Sequence, residues 1–114
     1  MTVALVARDL MIATRIADAG ARAGVDVERF DDPSHLPPSA DLSLVLVDWG
    51  ARTPEWAEQI NAWRSRAPEL ARPRLILFGP HTDLAAHADA RAAGLGPMLS
   101  RSKLIAEISS LLPS

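Results

Sequence analysis

Leu42-Ser-Leu-Val-Leu-Val47, with Asp48 directly behind it, is the stretch that decides how this chain folds. Six residues are too few for a helix to cross a domain. The run has little of the polar alternation of a half-exposed strand, so it reads as a strand buried on both faces. Such strands belong to parallel sheets with helices above and below. There a polar residue at the carboxyl end is the first to meet solvent, which places Asp48 where ligands bind in open α/β sheets.

Working outward, Val3-Ala-Leu-Val-Ala7 is a second unbroken apolar run and a second central strand. Asp9 to Ala23 carries Ile12, Ile16, Ala19 and Ala23 at helical spacing and stops at Gly24, a residue suited to the left-handed turn after a helix. Val25 to Phe30 alternates and is expected at an exposed or edge position. Pro33, Pro37 and Pro38 then interrupt the place where the second crossover helix belongs. Asp32-Pro33 can start about one helical turn, so that helix is predicted to be shortened or replaced by loop.

After Asp48, Thr53-Pro54-Glu55 reads as a helix start, with Thr53 as cap and the helix running to about Ala67. Leu75 to Phe78 is a fourth strand. Thr82 is expected to cap a helix ending at Ala93 before Gly94, Pro97 to Leu99 is a short fifth strand, and Ser102 begins a last helix. Trp56, Ile60, Trp63 and Ala67 form a stripe at helical spacing, read as packing on the sheet rather than as an aromatic docking surface. Right-handed crossovers between five parallel strands give a three-layer flavodoxin-like fold of order 2-1-3-4-5, with residues 1–114 as a single domain.

Composition narrows the function classes. The chain has 114 residues, 48% of them hydrophobic, and a formal charge of −2 from 12 basic and 14 acidic residues dispersed along it, so no nucleic-acid stripe and no polybasic membrane patch is expected. With no cysteine there is no disulfide, thiol nucleophile or Cys-based zinc site. No apolar stretch reaches the ~18 residues of a membrane span, and the N-terminal run lacks the basic region of a signal peptide, so a cytoplasmic location is the expectation. Ala7-Arg8-Asp9-Leu10 is not a Gly-rich phosphate loop, which weakens nucleotide binding.

The predicted topology gathers Arg8, Asp9, Asp48, Trp49, Gly79, His81, Ser100 and Arg101 into one crevice beyond the carboxyl ends of the strands. His81 has no partner at metal-ligand spacing and no evident nucleophile beside it. His35 and His87 read as solvated. No catalytic residue, metal or cofactor is assigned, and the chain is read as not an enzyme.

Leu44-Val-Leu-Val-Asp48 resembles the strand of bacterial response regulator receiver domains that ends in the phospho-acceptor aspartate. Leu75-Ile-Leu-Phe-Gly-Pro80, followed by His81 to Ala93 and Gly94-Leu-Gly-Pro-Met-Leu-Ser-Arg101, resembles the receiver half in which a glycine precedes the last strand and a lysine follows it. The resemblance covers nearly the whole chain in element order and implies a CheY-like fold with Asp48 at the phospho-acceptor position. Phosphoryl transfer to an aspartate needs Mg²⁺, a lysine and a hydroxyl to neutralise the developing charge. Here Ala7 and Arg8 fall on the acidic pair that would help hold Mg²⁺, Gly79 on the hydroxyl residue and Arg101 on the lysine.

The resemblance therefore implies a degenerate pseudo-receiver: a signalling or regulatory interaction domain of two-component type that works without phosphorylation. In this reading Arg8 is a candidate for the cation's place against Asp48, and a protein partner or a second copy is the expected contact. The last two helices, with Ala85, Ala86, Ala92 and Ala93, are the face implied for a homodimer. Two alternatives stand beside it. One is a working response regulator phosphorylated on Asp48, with Asp9 serving the metal. The other is a small-ligand or enzymatic domain using the same crevice, in which Arg8 and Arg101 bind an anion.

Overall fold

In the computed structural model, which describes residues 2–112, every strand runs parallel to its neighbours. The strands are β1 (Thr2–Val6), β2 (Asp26–Phe30), β3 (Leu42–Asp48), β4 (Arg74–Gly79) and β5 (Met98–Ser100), in the order β2-β1-β3-β4-β5. Helices α1 (Leu10–Arg22), α2 (Trp56–Ser65) and α3 (Leu84–Ala92) connect strands, and α4 (Arg101–Leu111) follows the last one. This is the flavodoxin-like, CheY-like architecture expected from the sequence.

The apolar runs in β1 and β3 are explained by what covers them. Val3, Leu5, Leu44 and Leu46 pack with Ile12, Ile16 and Leu104 of α1 and α4 in one core layer. Ala4, Val6, Val45 and Val47 pack with Trp56, Ile60, Trp63 and Ala86 of α2 and α3 in the other. Alternate residues thus enter opposite cores, and each fully buried Val, Leu or Phe contributes ~1.5–3 kcal/mol relative to exposure. In register, Val6 pairs with Val47 and Val47 with Leu77, so the carboxyl ends of β1, β3 and β4 finish together.

The second crossover has no α-helix. Two short 3-10 turns, Pro33–His35 and Ser39–Asp41, take its place, the first capped by Asp32, whose carboxylate accepts from the Ser34 N–H at 2.9 Å. Helix α2 compensates for the missing cover. The Trp56 indole donates to Asp32 Oδ2 at 3.2 Å and the Trp63 indole to the Pro37 carbonyl at 2.8 Å, tying the proline-rich segment to the sheet. The tryptophan stripe is core, and its N–H groups are spent on holding this segment.

Several helix starts differ from the sequence reading, each for a local reason. Thr53 does not cap α2: its carbonyl accepts from the Trp56 N–H at 3.2 Å to make a preceding turn, and the helix begins at Trp56 with Glu55 in the cap position. Asp83 rather than Thr82 caps α3, accepting from the Ala86 N–H at 3.0 Å. Ser100 rather than Ser102 caps α4, accepting from the Lys103 N–H at 3.1 Å. In α3 the residue after the expected cap, and in α4 the serine two before it, offers the better-placed oxygen.

Candidate functional site

Asp48 ends β3 and is fully buried. Its counter-ion is Arg101, the first residue of α4: guanidinium Nη2 lies 3.2 Å from Oδ2 and 3.4 Å from Oδ1. The Ser100 cap orients the first turn of α4, and with it the arginine, over the end of the sheet. Burial pushes the Asp48 carboxyl above its ordinary range. The Arg101 charge and hydrogen bond pull it back, Asp9 pushes it further up, and the Gly50 N–H lowers it.

Arg8 does not face Asp48. It is exposed, with its Nε donating to the Asp31 carbonyl at 3.2 Å, Nη2 4.0 Å from Asp32 and the guanidinium 5.8 Å from the centre of the Trp56 ring. The 3-10 turn at Pro33 presents these acceptors on the β2 side, and the arginine follows them. The ion pair at the end of β3 is therefore supplied by α4, not by the β1 loop. Arg8 and Arg101 each have a carboxylate within 4.0 Å, and they do not share one.

Asp9 is committed to backbone. Its Oδ1 accepts from the Met11 N–H at 2.9 Å and the Ile12 N–H at 3.4 Å, capping α1. Ala7, beside it, offers only a carbonyl, which accepts from Arg29 Nη1 at 3.1 Å. The acceptor groups at the ends of β1 and β3 thus meet guanidinium groups, and no group of three His, Asp or Glu side chains is arranged to hold a metal among the described residues. Mg²⁺ is usually held by one or two carboxylates with water and phosphate oxygens; here the Asp48 carboxylate faces the Arg101 guanidinium and Asp9 Oδ1 is used in the α1 cap, which disfavours a cation there.

The β4 side of the crevice is closed by packing. A Cβ on Gly79 would lie 2.8 Å from Met98 Sδ and 3.1 Å from the Gly50 nitrogen, and one on Gly50 would lie 2.7 Å from Pro80 Cδ. The two glycine backbones are pressed together, so a hydroxyl-bearing side chain at position 79 has no room without displacement. The next residues reinforce the closure. Trp49 is buried with its indole donating to the Ala86 carbonyl at 3.0 Å, while Arg52 lies over its ring at 5.4 Å and pairs with Asp89. Trp49 therefore clamps the end of β3 to α3. Ala86 is fully buried beneath it, so it is a core residue and not part of an exposed helix face.

The remaining candidates lie at the rim. His81 is exposed, and its carbonyl is 3.2 Å from the His87 imidazole. Ser100 serves as the α4 cap. What the list of candidates lacked is the neighbouring groove between α1 and α4, about 520 Å³, walled by Met11, Ile12, Ile105 and Ala106 with Asp9 and Arg101 at its edge. Leu10 and Met11 stand exposed beside it, 63% and 79% respectively. Adjacent apolar residues at the solvent side of a helix start were the available signal.

The fold places the chain in the flavodoxin-like class. Within that class, two solved structures superpose on almost its whole length. A response regulator protein from Burkholderia multivorans matches at 20% identity and a TM-score of 0.69, covering 99% of this chain and 96% of that one. A response regulator receiver protein from Burkholderia phymatum matches at 17% identity and a TM-score of 0.64, covering 96% and 93%. At these identities the likeness is one of fold. No protein-family model and no curated protein matches the chain.

Proposed function

We propose that residues 1–114 form one receiver-like signalling domain that acts through protein contacts and not through phosphorylation of Asp48. The observation that carries this reading is the Arg101–Asp48 pair: a fixed positive charge rests on the only buried carboxylate at the strand ends among the described residues. One Asp9 oxygen is used in the helix cap, and a Cβ at Gly79 would crowd Met98 Sδ and the Gly50 nitrogen. Together with a guanidinium already resting on Asp48, these features count against phosphoryl transfer to it. The receiver-like neighbours support a signalling role. The exposed Leu10 and Met11 at the edge of the α1–α4 groove support contact with a protein partner or a second copy.

The test is a ¹⁵N NMR titration with Mg²⁺ and beryllofluoride, which mimics an aspartyl phosphate. The amides of Asp48, Trp49, Gly50, Gly79 and Arg101 are expected to stay in place. Large shifts confined to these residues, abolished by Asp48→Asn, would overturn the proposal in favour of a working response regulator. A separate thermal-shift screen against common metabolites addresses a small-ligand domain, and a stabilising hit in the Asp48 crevice would favour that reading.

A further inference from the structure

At the other end of the sheet three arginines converge on one pocket. Arg64 comes from the last turn of α2, Arg72 from the following loop and Arg74 from the first position of β4. The opposite side is the turn Gly94-Leu95-Gly96 that leads to β5, and the depression, open to solvent, has a volume of about 390 Å³. Arg74 and Phe78 lie four residues apart on β4, and Phe78 pairs with Asp48, so the pocket is ~13 Å along the strand from the Asp48 pair.

Its charge is unbalanced. Among the described residues Arg64, Arg72 and Arg74 have no carboxylate within 4.0 Å, as is also true of Arg15, Arg22, Arg66 and Arg91; what sets these three apart is that they line one pocket. Glu69 is the single acidic residue lining the pocket. Two further observations bear on the pocket. The Arg64 Nε is buried without a hydrogen-bond partner within the chain, as is the Arg101 Nε at the opposite end of the sheet, so it is a donor that a pocket ligand could engage. Arg72 Nε is anchored on the Ala67 carbonyl at 3.3 Å, which fixes its base and leaves the outer fork directed by that anchor. Gly94 and Gly96 have positive φ, 71° and 86°, and a Cβ at either would meet nothing within 4 Å, so this wall is bare backbone.

We infer that this pocket binds the phosphoryl group of a small phosphate monoester. A phosphoryl dianion carries ≈ −1.5 to −2 charges near pH 7, which matches the surplus of three guanidinium groups over one carboxylate, and Arg forks suit its oxygen geometry. The open depression has room for a phosphoryl group with the rest of the ester left in solvent. The chain's net charge of −2 disfavours a long polyanion, which would meet repulsion outside the pocket. The inference is independent of the reading of Asp48.

The probes are inorganic phosphate and adenosine monophosphate, titrated separately at low ionic strength into the whole chain and followed by ¹⁵N NMR, including the arginine Nε resonances. Saturable shifts are expected at Arg64 Nε, Glu69, Arg72, Arg74 and Gly94 to Gly96, with those of Asp48 and Arg101 unmoved. The double variant Arg72→Gln/Arg74→Gln should weaken binding at least tenfold. Tighter binding of the nucleotide would show that the ester group is also read, and equal binding that the phosphoryl group alone is. Shifts that fail to saturate, that spread equally to Arg15 and Arg22, or that persist in the double variant would overturn the inference. The wild-type titration decides even if the variant does not fold.

Discussion

Replacing Arg101 by Met should reveal how much the chain spends on keeping Asp48 ionised. The substitution keeps most of the aliphatic volume and removes the guanidinium from a carboxylate that is fully buried. Leaving a buried charged group short of a partner costs ~1–3 kcal/mol, and more where both charges are buried. Arg101 is 40% exposed, so solvent screening holds the expected loss to the lower range, ~1–3 kcal/mol at neutral pH. Asp48 already sits above the ordinary carboxylate value of 3.8, chiefly through burial, and Arg101 is what pulls it down. Without the arginine it climbs further.

The sign of the pH effect follows. A carboxyl raised in the folded state keeps its proton to higher pH than in the unfolded chain, so folding is least penalised in acid and loses stability as pH rises through the Asp48 range. The cost of Arg101→Met should therefore be full near pH 7 and fade towards ~pH 3.5, where Asp48 is protonated in both proteins. Urea unfolding at the two pH values, followed by far-ultraviolet circular dichroism, measures it for the wild type, Arg101→Met, Asp48→Asn and the double variant. The double variant should recover most of the loss. An equal loss at both pH values, or a loss that persists unchanged in the Asp48→Asn background, would refute the reasoning.

Gly79→Ser should destabilise by ~1–3 kcal/mol in urea unfolding, because its Cβ meets Met98 and the Gly50 backbone; an unchanged midpoint would show that the crevice has room for a hydroxyl residue. Asp9→Ala should cost ~0.5–2 kcal/mol and speed hydrogen exchange at Met11 and Ile12, as loss of a helix cap does, and an excess of Mg²⁺ should not alter the difference. Trp49→Phe should cost ~0.5–1.5 kcal/mol for the lost hydrogen bond to the Ala86 carbonyl, and more for the lost indole volume, detected by thermal unfolding; a neutral result would remove Trp49 as the clamp between β3 and α3.

The sheet was legible because β1 and β3 are apolar on both faces, a pattern that few other architectures accommodate, and because Pro37 and Pro38 forbid a full second crossover helix. The helix starts were less so. Thr82 and Asp83, like Ser100 and Ser102, can each cap, and only the tertiary position of the chain selects Asp83 and Ser100. The site residues lie near one another through topology, but the partner of Asp48 could not be read from sequence. Arg8 and Arg101 are both arginines at strand ends. Which one turns to Asp48 depends on Asp31 and Asp32 offering Arg8 a competing set of acceptors, and that contact exists only once the proline-rich segment has folded back over Trp56. The closure at Gly79 was hidden in the same way, since a glycine in sequence does not reveal whether it marks open space or a close backbone contact.

The replacement of a helix by the 31–41 segment also gives the molecule a built-in optical gauge. Two of its three indoles spend their N–H groups on this segment, through Asp32 and the Pro37 carbonyl, while the third is anchored elsewhere on Ala86. A stretch with two short turns and little backbone ladder opens at lower free energy than the strands it covers. Trp56 and Trp63 should then meet water before the sheet comes apart, and their emission should move to the red ahead of the loss of strand signal in circular dichroism, while Trp49 reports only the global event.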